Sequence, residues 1–102
     1  MIEQRRARRF ELTLPCELVR NGAQPISELG ETQNVSSQGV LFLAEAQVAV
    51  GDVIEYLITL PTPPDVGRVR IRCLGKVVRL PESRIAATLE RYEFVRNGKP
   101  NF

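Results

Sequence analysis

The stretch RVRIRCLGKVVRL, residues 68–80, decides the fold class. Apolar side chains alternate along it with arginines: Val69, Ile71 and Cys73 against Arg68, Arg70 and Arg72. A period of two predicts a β-strand with one face in the core and the other in water. Gly75 interrupts the pattern and predicts a β-bulge or a sharp bend.

The same kind of pattern recurs along the chain on both sides of this stretch. Period two predicts strands at 10–18 and 68–80, and it favours a strand at 84–95, where Tyr92 and Phe94 alternate and the composition alone would also allow a helix. A short apolar run predicts a strand at 40–43, and β-branched and aromatic residues predict one at 53–60. We assign one more strand to the polar stretch 24–33. Turn signals separate them, among them Asn21-Gly22 and Gly51-Asp52. Pro15 cannot donate to a strand ladder, so the first strand should have an open or bulged side there. No segment predicts a helix, and the sequence therefore indicates an all-β fold, a small six-stranded antiparallel barrel or sandwich.

The distribution of charge indicates which kind of ligand the chain could bind. The chain has 102 residues, enough for one domain, and a formal net charge of only +2. Its first ten residues nevertheless hold four arginines against the single acid Glu3. A local basic cluster on a nearly neutral body indicates a discrete anionic ligand more than a long polyanion.

Several chemistries find no support in the composition. The chain has no histidine and only two cysteines, Cys16 and Cys73, so we expect no metal site and no enzymatic activity. Both cysteines lie in apolar alternating runs and are expected to be buried free thiols. No run of about 18 apolar residues predicts membrane insertion, and the N-terminus lacks the apolar core of a signal peptide. A cytoplasmic location is the simplest expectation.

Two motifs carry candidate chemistry, and the first is the arginine arm at Arg5, Arg6, Arg8 and Arg9. The planar guanidinium fork matches phosphate oxygens and the O6 and N7 atoms of guanine, and it stacks on rings. The alternative is a solvated basic N-terminus without a ligand.

The second motif is the segment NVSSQG, residues 34–39. The Asn34 amide can donate and accept beside a base, and Ser36 can cap a turn or bond a ligand. Gly39 permits a positive φ and close backbone approach, while Val35 is expected to point into the core. The alternative is a simple turn held by its own Asn and Ser side chains.

Together the two motifs resemble the PilZ domain family. The matching residues are Arg5 and Arg9 of an R-x-x-x-R motif, and Asn34, Ser36 and Gly39 of a [D/N]-x-S-x-x-G motif. The segments GDVIEYLITLP and CLGKVVRL are also similar to strands of the family. The resemblance runs from about residue 4 to about residue 95.

The resemblance implies a receptor for the bacterial second messenger cyclic di-GMP, with no other cofactor. It implies a six-stranded antiparallel split barrel at residues 10–96 and a flexible ligand-binding arm at 1–10. The sequence departs from many members at its C-terminal end, where a tail at 97–102 and little or no C-terminal helix are expected. Arg5 and Arg9 would contact phosphates and guanine Hoogsteen edges, with Arg6 and Arg8 beside them. Asn34 and Ser36 would bond guanine edges and Gly39 would let the backbone turn beneath the ligand. Arg79 is a further candidate contact.

The predicted receptor is a monomer or weak dimer that relays its signal to an effector protein whose identity the sequence does not give. Asn34 replaces the aspartate of many members, and a neutral amide accepts more weakly from guanine N–H groups. Two alternatives remain open: a PilZ-like adaptor that binds no nucleotide, and a small barrel that binds RNA or single-stranded DNA. The second usually needs exposed aromatic platforms, whereas most of the six aromatics here lie in apolar strand patterns.

Overall fold

Seven β-strands make up the fold in the computed structural model, which describes residues 8–96. Arg5, Arg6 and the predicted tail at 97–102 therefore lie outside the described residues. Within residues 8–96 no helix is present, and hence none that could cross a membrane. The strands are β1 (Pro15–Asn21), β2 (Gln24–Val35), β3 (Gly39–Ala44), β4 (Val53–Thr59), β5 (Val69–Arg79), β6 (Arg84–Thr88) and β7 (Arg91–Arg96).

Six of the strands close into an antiparallel barrel. Their order is β4-β1-β2-β3-β6-β5, and pairing of β5 with β4 closes the circle. The seventh strand, β7, pairs with the first part of β5, from Val69 to Leu74, on the edge where β6 pairs with the last part. The predicted all-β fold with a six-stranded antiparallel barrel is confirmed.

The interior is filled by every second residue of the strands. Phe42 and Tyr56 stack at its centre, with ring centroids 5.3 Å apart, and the Tyr56 hydroxyl donates to the Thr88 carbonyl at 3.0 Å. The other members of the buried apolar cluster are Cys16, Leu18, Val40, Ile54, Ile58, Cys73, Val77, Ile85 and Ala87. One continuous core therefore holds all six barrel strands, as expected for a single domain.

Ion pairs line the outer face formed by β1, β4, β5 and β7. Glu55 accepts from Arg20 and Arg72, each at 3.4 Å, and Arg72 also reaches Glu93 at 3.3 Å. Arg70 lies 3.9 Å from Glu17. The arginines that alternate along β5 thus face outward, as predicted, and are neutralised by carboxylates of the neighbouring strands.

The first strand begins later than predicted. The sequence pattern starts at Phe10, whereas β1 starts at Pro15, because residues 10–14, which we call the tether, pair only locally with the end of β2. Pro15 is opposite Glu31 of β2, and pairing with β4 starts only at Cys16. Pro15 therefore has an open side, as predicted.

Of the two features predicted at Gly75, a bulge or a sharp bend, the bulge is not found. Gly75 pairs in regular register with Ile54, and the irregularity in β5 lies at Val78. Gly75 is required for another reason: the Thr88 carbonyl occupies the space of any Cβ added there. The predicted single strand 84–95 is interrupted at this close approach, after Thr88. It therefore forms two strands, β6 and β7.

The turn predicted at Asn21-Gly22 is shifted by one residue. Asn21 is the last residue of β1, and the two-residue loop is Gly22-Ala23, with a φ of 62° at Gly22. A positive φ at the first loop residue matches the hairpin turn that follows the twist of the strands. The Asn21 side chain instead donates to the Asp52 carboxylate at 3.2 Å and so ties the hairpin to the loop before β4.

The two cysteines give a prediction about reactivity. Both are buried free thiols, and burial, aided at Cys16 by the charge of Glu31 and at Cys73 by Cys16, raises their pKa from 9.0 to about 12. Because the thiolate is the reactive form, we expect neither to react with Ellman's reagent at pH 8, and both to react in denaturant. The unfolded thiols ionise first, so the free energy of unfolding should fall as the pH rises from about 9 towards 12. Fast labelling of the folded protein would contradict this assignment.

Candidate functional site

A cavity of about 280 Å³ lies on the outer surface where β2, β3, β6 and the end of β5 meet. Its floor is apolar and includes Leu41 and Ala86, which are direct partners across β3 and β6. Gly39 lines the cavity as well, together with polar and charged residues: Arg9, Asn34, Ser36, Gln38, Arg79 and Thr88. The structure thus brings one arginine of the arm, the whole Asn-Ser-Gly motif and Arg79 to a single site.

A β-bulge in β2 places Asn34 on this surface. Thr32 pairs with Phe42 and Asn34 pairs with Leu41, so Gln33 is an extra residue without its own partner in β3. Without that insertion Asn34 would share the inward face of Thr32, because side chains alternate along a strand. The bulge reverses the alternation and puts Asn34 outside and Val35 against the core, as predicted for Val35.

A second bulge acts in the same way on β5. Val77 pairs with Ala87 and Arg79 pairs with Ala86, so Val78 is the extra residue. Val77 is buried in the core, and the insertion brings Arg79 beside Ala86 on the outer face. Two bulges on different strands therefore direct Asn34 and Arg79 towards the same cavity.

The turn between β2 and β3 is organised by Ser36. Its Oγ accepts from the backbone N–H groups of Gln38 and Gly39, each at 3.1 Å, and donates to the Gly39 carbonyl at 3.3 Å. The Ser36 N–H donates to the same carbonyl at 2.9 Å. The turn role considered for Ser36 in the sequence is thus present, and both acceptor sites of its hydroxyl are used within the turn.

Gly39 is needed for close packing, and the positive φ considered for it is not found. The positive-φ glycines among the described residues are Gly22, Gly51 and Gly67. A Cβ at Gly39 would lie 2.9 Å from the Ala87 carbonyl, tighter than ordinary contacts. The absence of a side chain therefore lets the backbones of β3 and β6 approach closely beneath the cavity.

The tether brings the arm to the cavity. Phe10 and Val35 exchange two backbone hydrogen bonds of 2.9 Å each, so the chain just before Phe10 lies beside the end of β2. Both Arg8 and Arg9 are exposed, but Arg9 lines the cavity and Arg8 does not. Arg5 and Arg6 lie outside the described residues, and their predicted roles stay predictions.

The charge of the cavity favours an anion. Arg9 and Arg79 both line it, and none of its described lining residues is acidic. A larger and more open groove of about 910 Å³ on the barrel is lined by Glu28, Glu31 and Glu45 and by no arginine or lysine. Residues 8–96 also contain no cluster of three or more Cys, Asp or Glu side chains suited to a metal ion.

Sequence reasoning missed the floor of the cavity and misjudged some aromatic residues. Leu41 and Ala86 belong to short apolar runs, and only the strand register shows that they face outward. Tyr92 and Phe94 are 59% and 64% exposed, although their alternation suggested a core face. They lie on β7, the strand that is not part of the closed barrel. Their rings pack edge to face, with centroids 6.2 Å apart.

The turn geometry predicts distinct effects of two substitutions on stability. Ser36→Ala removes the acceptor of two N–H groups and should lower the free energy of unfolding by about 1 kcal/mol. Gly39→Ala should cost about 1–3 kcal/mol, because its Cβ pushes β3 away from Ala87. Urea denaturation measures both, with Ser37→Ala at the exposed neighbouring position as the control. Equal stability of all three variants would show that the turn is not organised in this way.

The chain matches the model of one known protein family. The family model of the PilZ domain matches residues 3–97, nearly the whole chain. No individual curated protein matches the chain at a significant level.

Proposed function

Because the chain belongs to the PilZ domain family, a family of cyclic di-GMP receptors, we propose that it binds cyclic di-GMP in the cavity beside the tether and relays the signal to an effector protein. Domains of this family bind their ligand without catalysis, which agrees with a role as a receptor. The second messenger is made and sensed inside bacterial cells, and we propose a cytoplasmic location for the receptor.

One observation carries the proposal: Arg9 of the first motif and Asn34, Ser36 and Gly39 of the second line the same cavity. These positions are 25–30 residues apart in the sequence, and a chance basic terminus would not need to lie beside this turn. The contrast between the arginine-lined cavity and the glutamate-lined groove supports the same conclusion, since the ligand carries two phosphates.

The hydroxyl of Ser36 is suited to one edge of guanine. Both its acceptor sites bind N–H groups of the turn, so the hydroxyl can only offer its hydrogen to a ligand. The Ser36 Oγ lies 3.3 Å from its present acceptor, the Gly39 carbonyl oxygen, so this bond is long and the hydrogen can turn to a better acceptor. The O6 and N7 atoms of guanine are both acceptors, whereas adenine presents a donor in place of O6.

Asn34 and the arginines complete the recognition. The Asn34 amide makes no hydrogen bond to another residue within 8–96, so it can donate and accept at a base edge. Arg9 and Arg79 can each form a forked pair with a phosphate or with guanine O6 and N7. The apolar floor at Leu41 and Ala86 offers a surface on which a planar base can lie.

The size of the cavity fits part of the ligand. A volume of about 280 Å³ is at the low end for ligand pockets, so it accommodates a base and an adjoining phosphate more readily than a whole cyclic dinucleotide. We propose that Arg5, Arg6 and Arg8 contact the remainder from the arm. Charge-assisted hydrogen bonds of about 1.5–3 kcal/mol each can offset an ordering cost of about 1–2 kcal/mol per residue.

The proposal predicts selective binding that titration calorimetry measures. Cyclic di-GMP should bind with a dissociation constant in the micromolar range or below, and GTP and cyclic di-AMP should not bind comparably. An oligonucleotide tests the alternative of a nucleic-acid-binding barrel, for which Tyr92 and Phe94 offer exposed rings. Oligonucleotide binding with a steep salt dependence, without cyclic di-GMP binding, would replace the proposal. Binding of neither would favour the adaptor that binds no nucleotide.

A matched pair of arginine variants tests the site itself. Arg9→Ala should weaken cyclic di-GMP binding about 10- to 100-fold, the factor expected for one charge-assisted bond. Arg20→Ala changes the net charge equally, but Arg20 pairs with Glu55 on β4, outside the cavity, so its binding should stay within about twofold of the wild type. Equal losses in both variants would mean that net charge alone attracts the ligand.

A further inference from the structure

We infer that Thr32 is the positioning residue of the arginine arm: its side chain fastens the tether to β2 and so holds Arg9 at the cavity. The inference rests on the proposed function, because it assigns a purpose to a contact outside the ligand site. Thr32 is not among the residues that line the cavity.

Thr32 is the one buried polar side chain among the described residues, with an exposure of 0%. Its neighbours in the interior are apolar, and it is the direct partner of Phe42, a residue at the centre of the core. A buried hydroxyl is unfavourable unless hydrogen bonds compensate for the lost water. The contacts of this hydroxyl therefore indicate what the polar atom contributes at this position.

Within residues 8–96, both hydrogen bonds of the Thr32 hydroxyl are made with the tether. The hydroxyl donates to the Leu12 carbonyl and accepts from the Leu14 N–H at 2.9 Å. The Thr32 N–H also donates to the Leu14 carbonyl at 2.8 Å. A valine would fill the same space but would leave the Leu12 carbonyl and the Leu14 N–H without these partners, while the backbone bond from residue 32 to the Leu14 carbonyl would remain.

Hydrophobic burial contributes little to holding the outer part of the tether. Phe10 and Leu12 are 50% and 43% exposed, and only Leu14 packs against the core. The strand ladder to β4 starts after the tether, at Cys16. The tether is thus held mainly by five hydrogen bonds, three with Thr32 and two between Phe10 and Val35.

The hydrogen bonds at Thr32 lie only a few residues from Arg9 and the cavity. The three bonds at Thr32 fix the chain at Leu12 and Leu14, and the pair at Val35 fixes it at Phe10, immediately before Arg9. Val35 is separated from Thr32 only by the bulge residue Gln33 and by Asn34. One short segment of β2 therefore presents Asn34 to the cavity and also determines where the arm begins.

Two substitutions at Thr32 distinguish the effect of its hydroxyl group from the effect of its side-chain shape. Thr32→Val keeps the branched shape and removes the hydroxyl, and it should weaken cyclic di-GMP binding about tenfold in calorimetry. Thr32→Ser keeps the hydroxyl and should bind within about threefold of the wild type. Amide hydrogen exchange should show faster exchange at Phe10, Leu14 and Val35 in Thr32→Val, with protection retained in Thr32→Ser.

The control is a variant that loses stability elsewhere in the core. Ile85→Val removes one buried methylene from β6 and leaves the tether bonds intact, so it should bind like the wild type. If Thr32→Val does not fold, Phe10→Pro provides the test, because it removes the N–H donor to Val35 at the exposed end of the tether. It should weaken binding and raise amide exchange at Val35.

The outcomes for this inference and for the proposed function are distinct. If the wild type does not bind cyclic di-GMP, the proposed function fails, while the exchange data still report whether Thr32 holds the tether. If the wild type binds and Thr32→Val binds equally, or if Thr32→Ser is as weak as Thr32→Val, the positioning role is overturned. Loss of binding in Ile85→Val to the same extent would assign the effect to stability alone.

Discussion

One extra residue in β2 is the constraint on which the candidate site depends. The bulge at Gln33 lets Thr32 and Val35 both face inward, although they are separated by an odd number of positions. The residue between the bulge and Val35 is Asn34, which is thereby the one that faces outward. In a strand without the bulge, burial of Thr32 would also bury the side-chain amide of Asn34, or a different pair of residues would have to face inward. Burying an unpaired amide is unfavourable.

The site combines a rigid surface with an attached segment. The floor is made of directly paired residues of β3 and β6, and the close approach at Gly39 leaves these backbones little freedom to shift. Of the two arginines that line the cavity, Arg79 belongs to β5, whereas Arg9 belongs to the arm and is attached through the tether. Such a division suits a receptor, because rigid groups can read a base while a segment with fewer contacts changes its position when the ligand arrives.

Much of the fold could be predicted because it depends on alternation. The strands of the barrel follow from period-two patterns, and the arginines of β5 follow their predicted outward direction. The register could not be predicted: Gly75 suggested a bulge that lies instead at Val78, and nothing in the residue types marks Gln33 as an insertion. Where bulges form depends on how three strands fit together, which a single segment does not encode.

The candidate site was predictable in its residue types but not in its supports. The two motifs named Arg9, Asn34, Ser36 and Gly39, which line the cavity, and also Arg8, which does not. Thr32 lies in the polar stretch 24–33, where no pattern distinguishes a buried side chain from an exposed one, so its burial and its bonds to the tether emerged only from the structure. The outer residues Leu41 and Ala86 escaped notice for the opposite reason, since apolar residues are ordinarily assigned to the core.

The ion pairs on the opposite wall affect how a charged ligand approaches. There the arginines of β1 and β5 are matched by glutamates, and their fields largely cancel beyond a few ångströms. Within residues 8–96, neither Arg9 nor Arg79 forms such an ion pair, and no described residue that lines the cavity is acidic, so the local potential at the cavity is positive. A nearly neutral molecule can thus orient a diffusing dianion before contact, and dissolved salt would slow that encounter by screening the field.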